Sequence, residues 1–358
     1  MNDKGRRHWA DNLRWITVML VVAYHVAYLF NGAGIPGSIP GAASIPLFDW
    51  LAALVYPWFM VLLFVLAGMS SAWALEKKTI QQFVKERTVK LLVPSTLGLF
   101  AWQWVTGWLN IKMGGGLSMI PGWLLYPICA ISGTGPLWFV QLLWLYSMLL
   151  ALLCRLHLAD RLLALGNHAT LPVAVILGLL IWAASFVGNL PVLTMYRIGI
   201  YLVSFFTGWM VFSHSRILES LKHCAWWFAA AACGLGIWYG LRFAGTNFTA
   251  DVCLQSPVTN AYAWAAVLAL LGLAQRYLNQ DTSLDRFMKK HSYNVYVLHY
   301  SALIYAAYGT SVLLHLPAGV CYALTLTAGT ALTFLLDALF SRIPVFRFLV
   351  LGIHRYRN

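Results

Sequence analysis

The stretch Leu13 to His25, LRWITVMLVVAYH, sets an arginine at one end of an apolar run and an imidazole at the other. Arg14 and His25 are eleven residues apart. On a helix that is three turns plus about 20°, so both side chains share one face, about 16 Å apart along the axis. Ionisable groups inside a membrane-length apolar run are costly and usually face a bundle interior or an aqueous cavity. Taken singly, each has a structural explanation: a snorkelling, topology-setting arginine, and a neutral imidazole bonded to a neighbouring helix. Their shared face favours a common job. A long ligand with an anionic head and a reactive tip fits the spacing, and coenzyme A has that shape, with phosphates at one end and a thioester at the other. Arginine binds phosphate through forked, charge-assisted hydrogen bonds. Histidine at the tip can act as general base on an acceptor hydroxyl, or as the nucleophile that briefly holds the acyl group.

Further polar groups stand where lipid would exclude them. The segment EKKTIQQFVKERTVKLLVP carries Lys77, Lys78, Lys85, Arg87 and Lys90 ahead of Pro94. Arg87 and Lys90 are three apart and so neighbours on one helix face, although a solvated topogenic loop has the same composition. In SYNVYVLHY, Ser292, Tyr296 and His299 occupy i, i+4 and i+7, a single helical stripe. His299 is expected about 10 Å above the inner boundary, where catalysis and a structural hydrogen bond account for it about equally. GTGPLWFVQLLW offers Trp138 and Gln141, an acceptor-site pair or ordinary interhelical glue. Asp337 is expected to be paired or snorkelling. The cysteines form no metal-ligand pattern, and Cys129 and Cys253 fall in outer loops where oxidation can occur.

The elements that must position these groups follow from composition. The chain has 358 residues, 61% hydrophobic and 10% charged, with a mean hydropathy of +0.72. Soluble domains carry about 25% charged residues, so this chain is expected to be an all-α, polytopic membrane protein. The apolar runs are 13–31, 48–75, 91–109, 136–154, 170–188, 198–213, 224–241, 258–278, 292–310 and 318–340. If connections alternate sides, all but three of the 24 Lys and Arg fall on one side, the exceptions being Lys112, Arg197 and Arg242. Basic residues accumulate on the cytoplasmic side, so both termini are expected there. The net charge of +13 is then topological, and nucleic acid is not an expected partner. The first run is too long for a signal-peptide core and lacks a small-residue cleavage site, so it reads as a retained span. One membrane domain is expected over 1–340, followed by a tail over 341–358 whose alternating apolar and basic residues suit an interfacial helix.

DNLRWITVMLVVAYHV resembles the first-helix signature of the membrane-bound acyltransferase 3 family, in which an arginine and a histidine are separated by ten residues. LFVLAGMSSAW offers the family's second-helix glycine at Gly68, but Ala67 stands where serine is usual and Met69 replaces an aromatic residue. Arg87 and Pro94 match the basic pair and the proline of the third helix, with Lys90 in place of the second arginine. SYNVYVLHY resembles the family's S-x-x-x-Y-x-x-H element, and PLWFVQLL its LWF helix. Order and spacing agree from about residue 11 to 352.

The resemblance implies transfer of an acyl group, commonly acetyl from acetyl-CoA, to hydroxyls of sugars, glycans or lipid-linked acceptors, with delivery to the outer side of a bacterial plasma or inner membrane. A glucan-succinylating branch leaves succinyl open as the acyl group. In family terms His25 carries the chemistry, with Arg14 and the basic pair serving the donor. We therefore expect His25 and His299 to be catalytic, and Arg14, Arg87, Lys90, Ser292 and Tyr296 to bind acyl-CoA. Trp138 and Gln141 are expected to meet the acceptor, and no metal is expected. A homo-oligomer or a partner for onward transfer stays open. The rival class is a proton-coupled transporter, which two membrane histidines would suit. Scarce membrane carboxylates and the lack of a convincing internal repeat argue against it.

Overall fold

A computed structural model describes residues 7–35, 37–190, 196–243 and 245–354. Among the described residues the regular secondary structure is helix alone, apart from an isolated bridge between Asn189 and Arg197. Six helices are long and apolar enough to cross a membrane: His8–Leu29, Pro46–Leu75, Leu137–Arg155, Ser215–Phe243, Pro257–Tyr277 and Ala318–Arg342. Large side chains such as Ile176, Trp227 and Leu241 are exposed, as lipid-facing positions of a membrane protein must be.

Each of the ten apolar runs falls on helix, but four depart from a single straight span. Helices Leu171–Ala184 and Ile198–Met210 have 14 and 13 residues, about 20 Å each, against an apolar core of about 30 Å. The run 292–310 starts within a helix that begins earlier, Ser283–Tyr308, whose first turns are polar, and ends in the π-helical turn Gly309–Leu313. The run 91–109 is broken. It passes through a π-helical turn at Thr88–Leu92, a short α-helical piece at Val93–Ser95, a second π-helical turn at Leu99–Gln103 and the helix Trp104–Met113. Pro94 causes the first break, because it has no N–H for the carbonyl of Lys90 one turn earlier. The Tyr293 hydroxyl donates to that carbonyl instead. Ser95 Oγ donates to Leu91 O at 2.7 Å, and Thr96 Oγ1 to Leu92 O at 2.6 Å, occupying two more carbonyls at the break.

The chain forms two compact units. The first comprises Met1–Thr17, Ala53–Phe83 and Tyr146–Lys290. In it Gly68 and Gly208 let the backbones of helices Pro46–Leu75 and Ile198–Met210 meet, since a Cβ at Gly68 would overlap the Phe205 carbonyl and one at Gly208 the Val65 carbonyl. The second unit comprises Val18–Ala52, Val84–Leu145 and His291–Asn358. Its tail does more than lie on a surface. After the short helix Pro344–Leu349, Phe346 stacks on Phe340 at 4.7 Å and Val350 and Leu351 are buried. The expected cytoplasmic ends, 1–6 and 355–358, lie outside the described residues.

Candidate functional site: a histidine pair walled by tyrosines

Helix His8–Leu29 carries both Arg14 and His25, and the second unit contains His25 together with His299 of helix Ser283–Tyr308. The imidazoles are in contact, with His25 Nδ1 3.2 Å from His299 Nε2 and ring centroids 4.9 Å apart. Backbone carbonyls fix the roles of the four nitrogens. His299 Nδ1 lies 2.8 Å from Tyr296 O and 3.2 Å from Val295 O, both acceptors only, so Nδ1 bears the proton and Nε2 a lone pair. His25 Nδ1 lies 2.8 Å from Val21 O, so it also carries a proton, shared between that carbonyl and His299 Nε2. The remaining lone pair of neutral His25 is on Nε2. This is the geometry of a base oriented through its other nitrogen, with a carbonyl and a second imidazole in the orienting position.

Tyrosines surround the pair. Tyr24, Tyr28 and Tyr300 have ring centroids 5.2, 6.0 and 5.3 Å from that of His25, each edge-on. Tyr296 packs 5.7 Å from His299, and its hydroxyl donates to Pro136 O at 2.8 Å. Below them Gln103, delivered by the second π turn, donates to Val297 O at 3.1 Å and accepts from Ser301 at 2.9 Å and Thr106 at 3.2 Å. Gln103 thus ties the broken helix to the histidine-bearing one.

The other expected residues are distributed as follows. Ser292 is buried on the His299 helix two turns earlier. Gln141 donates to Ser95 O at 2.9 Å and braces the Pro94 break; Trp138 is buried in the same helix. Arg87 precedes the first π turn, and Lys90 within it is exposed, its ammonium 5.0 Å over the Tyr293 ring. Arg14 belongs to the first unit, where its guanidinium donates to Asp11 Oδ1 at 3.1 Å and to the Ser70 hydroxyl. Asp337 is buried and accepts from His291 at 2.5 Å, Asn294 at 2.7 Å and Ser341 at 3.1 Å, which accounts for its charge. Cys129 and Cys253, expected in outer loops, lie instead in the helices Gly122–Ser132 and Asp251–Leu254, where both are buried free thiols.

A family model described as an acyltransferase domain, that of acyltransferase 3, matches residues 7–341. The chain belongs to the acyltransferase 3 family. No curated protein and no solved structure matches it. For an acyltransferase in a membrane, a neutral imidazole with one oriented lone pair is a chemically competent centre.

Sequence reasoning missed Tyr24, Tyr28, Tyr300, Gln103, Ser70 and Tyr293. Two signals were present. AYHVAY and LHY place tyrosines beside each histidine, and Gln103 is an isolated amide in the apolar run LFAWQWV. Tyr293 carries no local signal, because its role arises only from the carbonyl that Pro94 leaves open.

Proposed function

We propose that this acyltransferase moves an acyl group, most simply acetyl, from cytoplasmic acyl-CoA to a hydroxyl of a sugar, glycan or lipid-linked acceptor, with delivery toward the extracytoplasmic side of a bacterial plasma membrane. The observation that carries the reading is the His25–His299 pair with its carbonyl-fixed tautomers. His25 Nε2 takes the proton of the acceptor hydroxyl as the oxygen attacks the thioester carbonyl. The new C–O bond forms, the C–S bond breaks, and Nε2–H returns the proton to the departing thiolate. In the covalent variant Nε2 itself attacks, CoA leaves as the thiolate, and the acyl-imidazolium is then opened by the acceptor hydroxyl, whose proton passes to the thiolate. Positive charge developing on His25 is met by Val21 O and His299 Nε2 through the same Nδ1–H. Arg87 and Lys90 are proposed donor-phosphate ligands, with Lys90 supplying charge without the forked geometry of arginine. Arg14, steadied by Asp11 and Ser70, is likewise proposed to bind the donor. Protein walls around the reacting groups limit loss of the thioester to water.

The test uses purified protein in liposomes with acetyl-CoA labelled in the acetyl group, following CoA release and label transfer to an envelope-glycan extract. Wild type should transfer label. His25→Ala should still bind CoA but turn over about 10²–10⁴-fold more slowly, the range a positioned base supplies. Arg14→Ala should mainly weaken donor binding. A folded wild type that neither binds nor consumes acetyl-CoA across varied acceptors would remove the donor assignment and favour a carrier.

A further inference from the structure

The two cations proposed to meet the donor phosphates stand on a helix that Pro94 has broken. Lys90 lies in the π-helical turn Thr88–Leu92, and Arg87 directly precedes it. A proline inside a helix removes a main-chain hydrogen bond and leaves a kink. The residues ahead of it are then free to swing on the rest of the helix unless other elements hold them. Tyr293 takes the Lys90 carbonyl before the proline, and Gln141 the Ser95 carbonyl after it.

The C-terminal segment touches both sides of the break at the level of backbone. After the proline, a Cβ at Gly98 would stand 2.7 Å from Leu349 O. Before it, a Cβ at Gly352 would stand 2.7 Å from Val89 O and 2.8 Å from Lys90 Cα. Gly352 has φ +64°, where other side chains are strained. Between these contacts Val350 and Leu351 are buried. The segment is anchored in turn: Phe346 stacks on Phe340, whose other partner, Trp102, meets it edge-on at 4.8 Å. Gly352 N–H donates to Phe348 O and Ile353 N–H to Arg347 O, both at 3.0 Å. All these groups belong to the second unit.

Packing alone accounts for the buried valine and leucine, but not for the attention given to Lys90. This lysine is exposed, yet the Tyr293 ring lies 5.0 Å under its ammonium, the Tyr293 hydroxyl holds its carbonyl and Gly352 presses on its Cα. Fixing a flexible cation beforehand reduces the ordering cost of binding an anionic group.

We propose that Leu349–Gly352 is a latch across the Pro94 break, and that Gly352 is a positioning residue that fixes Lys90, with Arg87 beside it, for the phosphates of the acyl donor. The latch rests on the donor role given to Lys90 above.

The experiment uses full-length protein in detergent, as wild type, Gly352→Ala and Gly98→Ala. Hydrogen exchange of the amides of residues 88–98 is followed without ligand, and steady-state kinetics with acetyl-CoA and the envelope-glycan extract. Gly115→Ala is the control for strain, since Gly115 has φ +71° and open space where its Cβ would be. Both latch variants should exchange faster over 88–98, as local opening there becomes easier. Their KM for acetyl-CoA should rise about tenfold, the worth of one hydrogen bond to a charged group, with kcat nearly unchanged. Gly115→Ala should alter neither. In a Lys90→Ala background, Gly352→Ala should raise KM clearly less, because the cation it positions is gone. Unchanged exchange in a folded Gly352→Ala overturns the latch. Faster exchange with an unchanged KM overturns the positioning role, as does an equal rise in KM with and without Lys90. A folded wild type that ignores acetyl-CoA overturns the donor assignment and this role with it, and is told apart from failure of the latch because it shows in wild type. If the glycine variants fail to fold, Phe346→Ala loosens the same segment without backbone strain, and the same outcomes decide.

Discussion

A histidine that is to accept a proton must keep a lone pair toward its substrate, and the Val21 carbonyl decides which nitrogen of His25 that is. His299 adds a second acceptor to the same Nδ1–H. In the proposed mechanism His299 serves as a positioning residue: it holds the ring and meets its developing charge without touching the reacting atoms. His299→Ala should lower kcat about 10–100-fold and leave the KM for acyl-CoA nearly unchanged, a loss smaller than for removal of a positioned base. His299→Gln should recover part of the rate, because its side-chain oxygen can accept from His25. Equal losses for Ala and Gln, with folding intact, would remove the positioning role. Both histidines were legible in the sequence as ionisable groups where lipid should surround them. Their contact was not, because 274 positions separate them. The pair Asp11–Arg14, three apart on one helix, was readable from spacing, whereas Ser70 was hidden behind the expectation of a serine at position 67.

Element boundaries record the same division between local and long-range causes. Thr79–Gln82 and Thr282–Asp285 are reciprocal capping boxes. Thr79 N donates to Gln82 Oε1 at 3.1 Å and Gln82 N to Thr79 Oγ1 at 3.3 Å; Thr282 N donates to Asp285 Oδ2 at 2.9 Å and Asp285 N to Thr282 Oγ1 at 3.2 Å. The second box starts the Ser283–Tyr308 helix well before its apolar run, so a reading from hydropathy alone placed that start too late. The Pro94 break was visible as a proline inside an apolar run, yet its consequence was tertiary: the open Lys90 carbonyl is taken by Tyr293. Tyr293→Phe should therefore cost about 1 kcal/mol, the net value of one hydrogen bond. In a Pro94→Ala background the restored N–H can supply Lys90 O, so the same substitution should cost clearly less. A double-mutant cycle of unfolding midpoints in detergent measures that coupling. Strict additivity would mean that the tyrosine does not substitute for the missing amide.

At the scale of the whole molecule, hydropathy located the ten apolar runs, missed the helix Gly122–Ser132, which reads as part of an outer loop, and mis-sized the runs where lipid exposure is not the governing force. Helix Leu171–Ala184 stops after 14 residues. Ser185 Oγ donates to Trp182 O at 2.6 Å, and Gly188 then turns the backbone at φ +70°. No apolar count registers such a turn. Packing within the first unit rests instead on residues that hydropathy treats as featureless. Gly68, which the family resemblance presents as part of a signature, and Gly208 on the facing helix leave room for backbone against backbone. Membrane helices gain much of their association from such close approach, since lipid offers apolar side chains no penalty. A methyl at either position meets a carbonyl that no rotamer change can move, so Gly68→Ala should destabilise by about 1–3 kcal/mol or more, the range for overpacking. Gly234, on the lipid-facing helix Ser215–Phe243, has open space where its Cβ would be. Gly234→Ala should therefore be neutral or stabilising by up to about 1 kcal/mol, from helix propensity alone. Midpoints of thermal unfolding in one detergent separate the two. If Gly68→Ala is tolerated as well as Gly234→Ala, the two helices do not meet backbone to backbone, and the second-helix glycine must be explained by chemistry at the donor end instead.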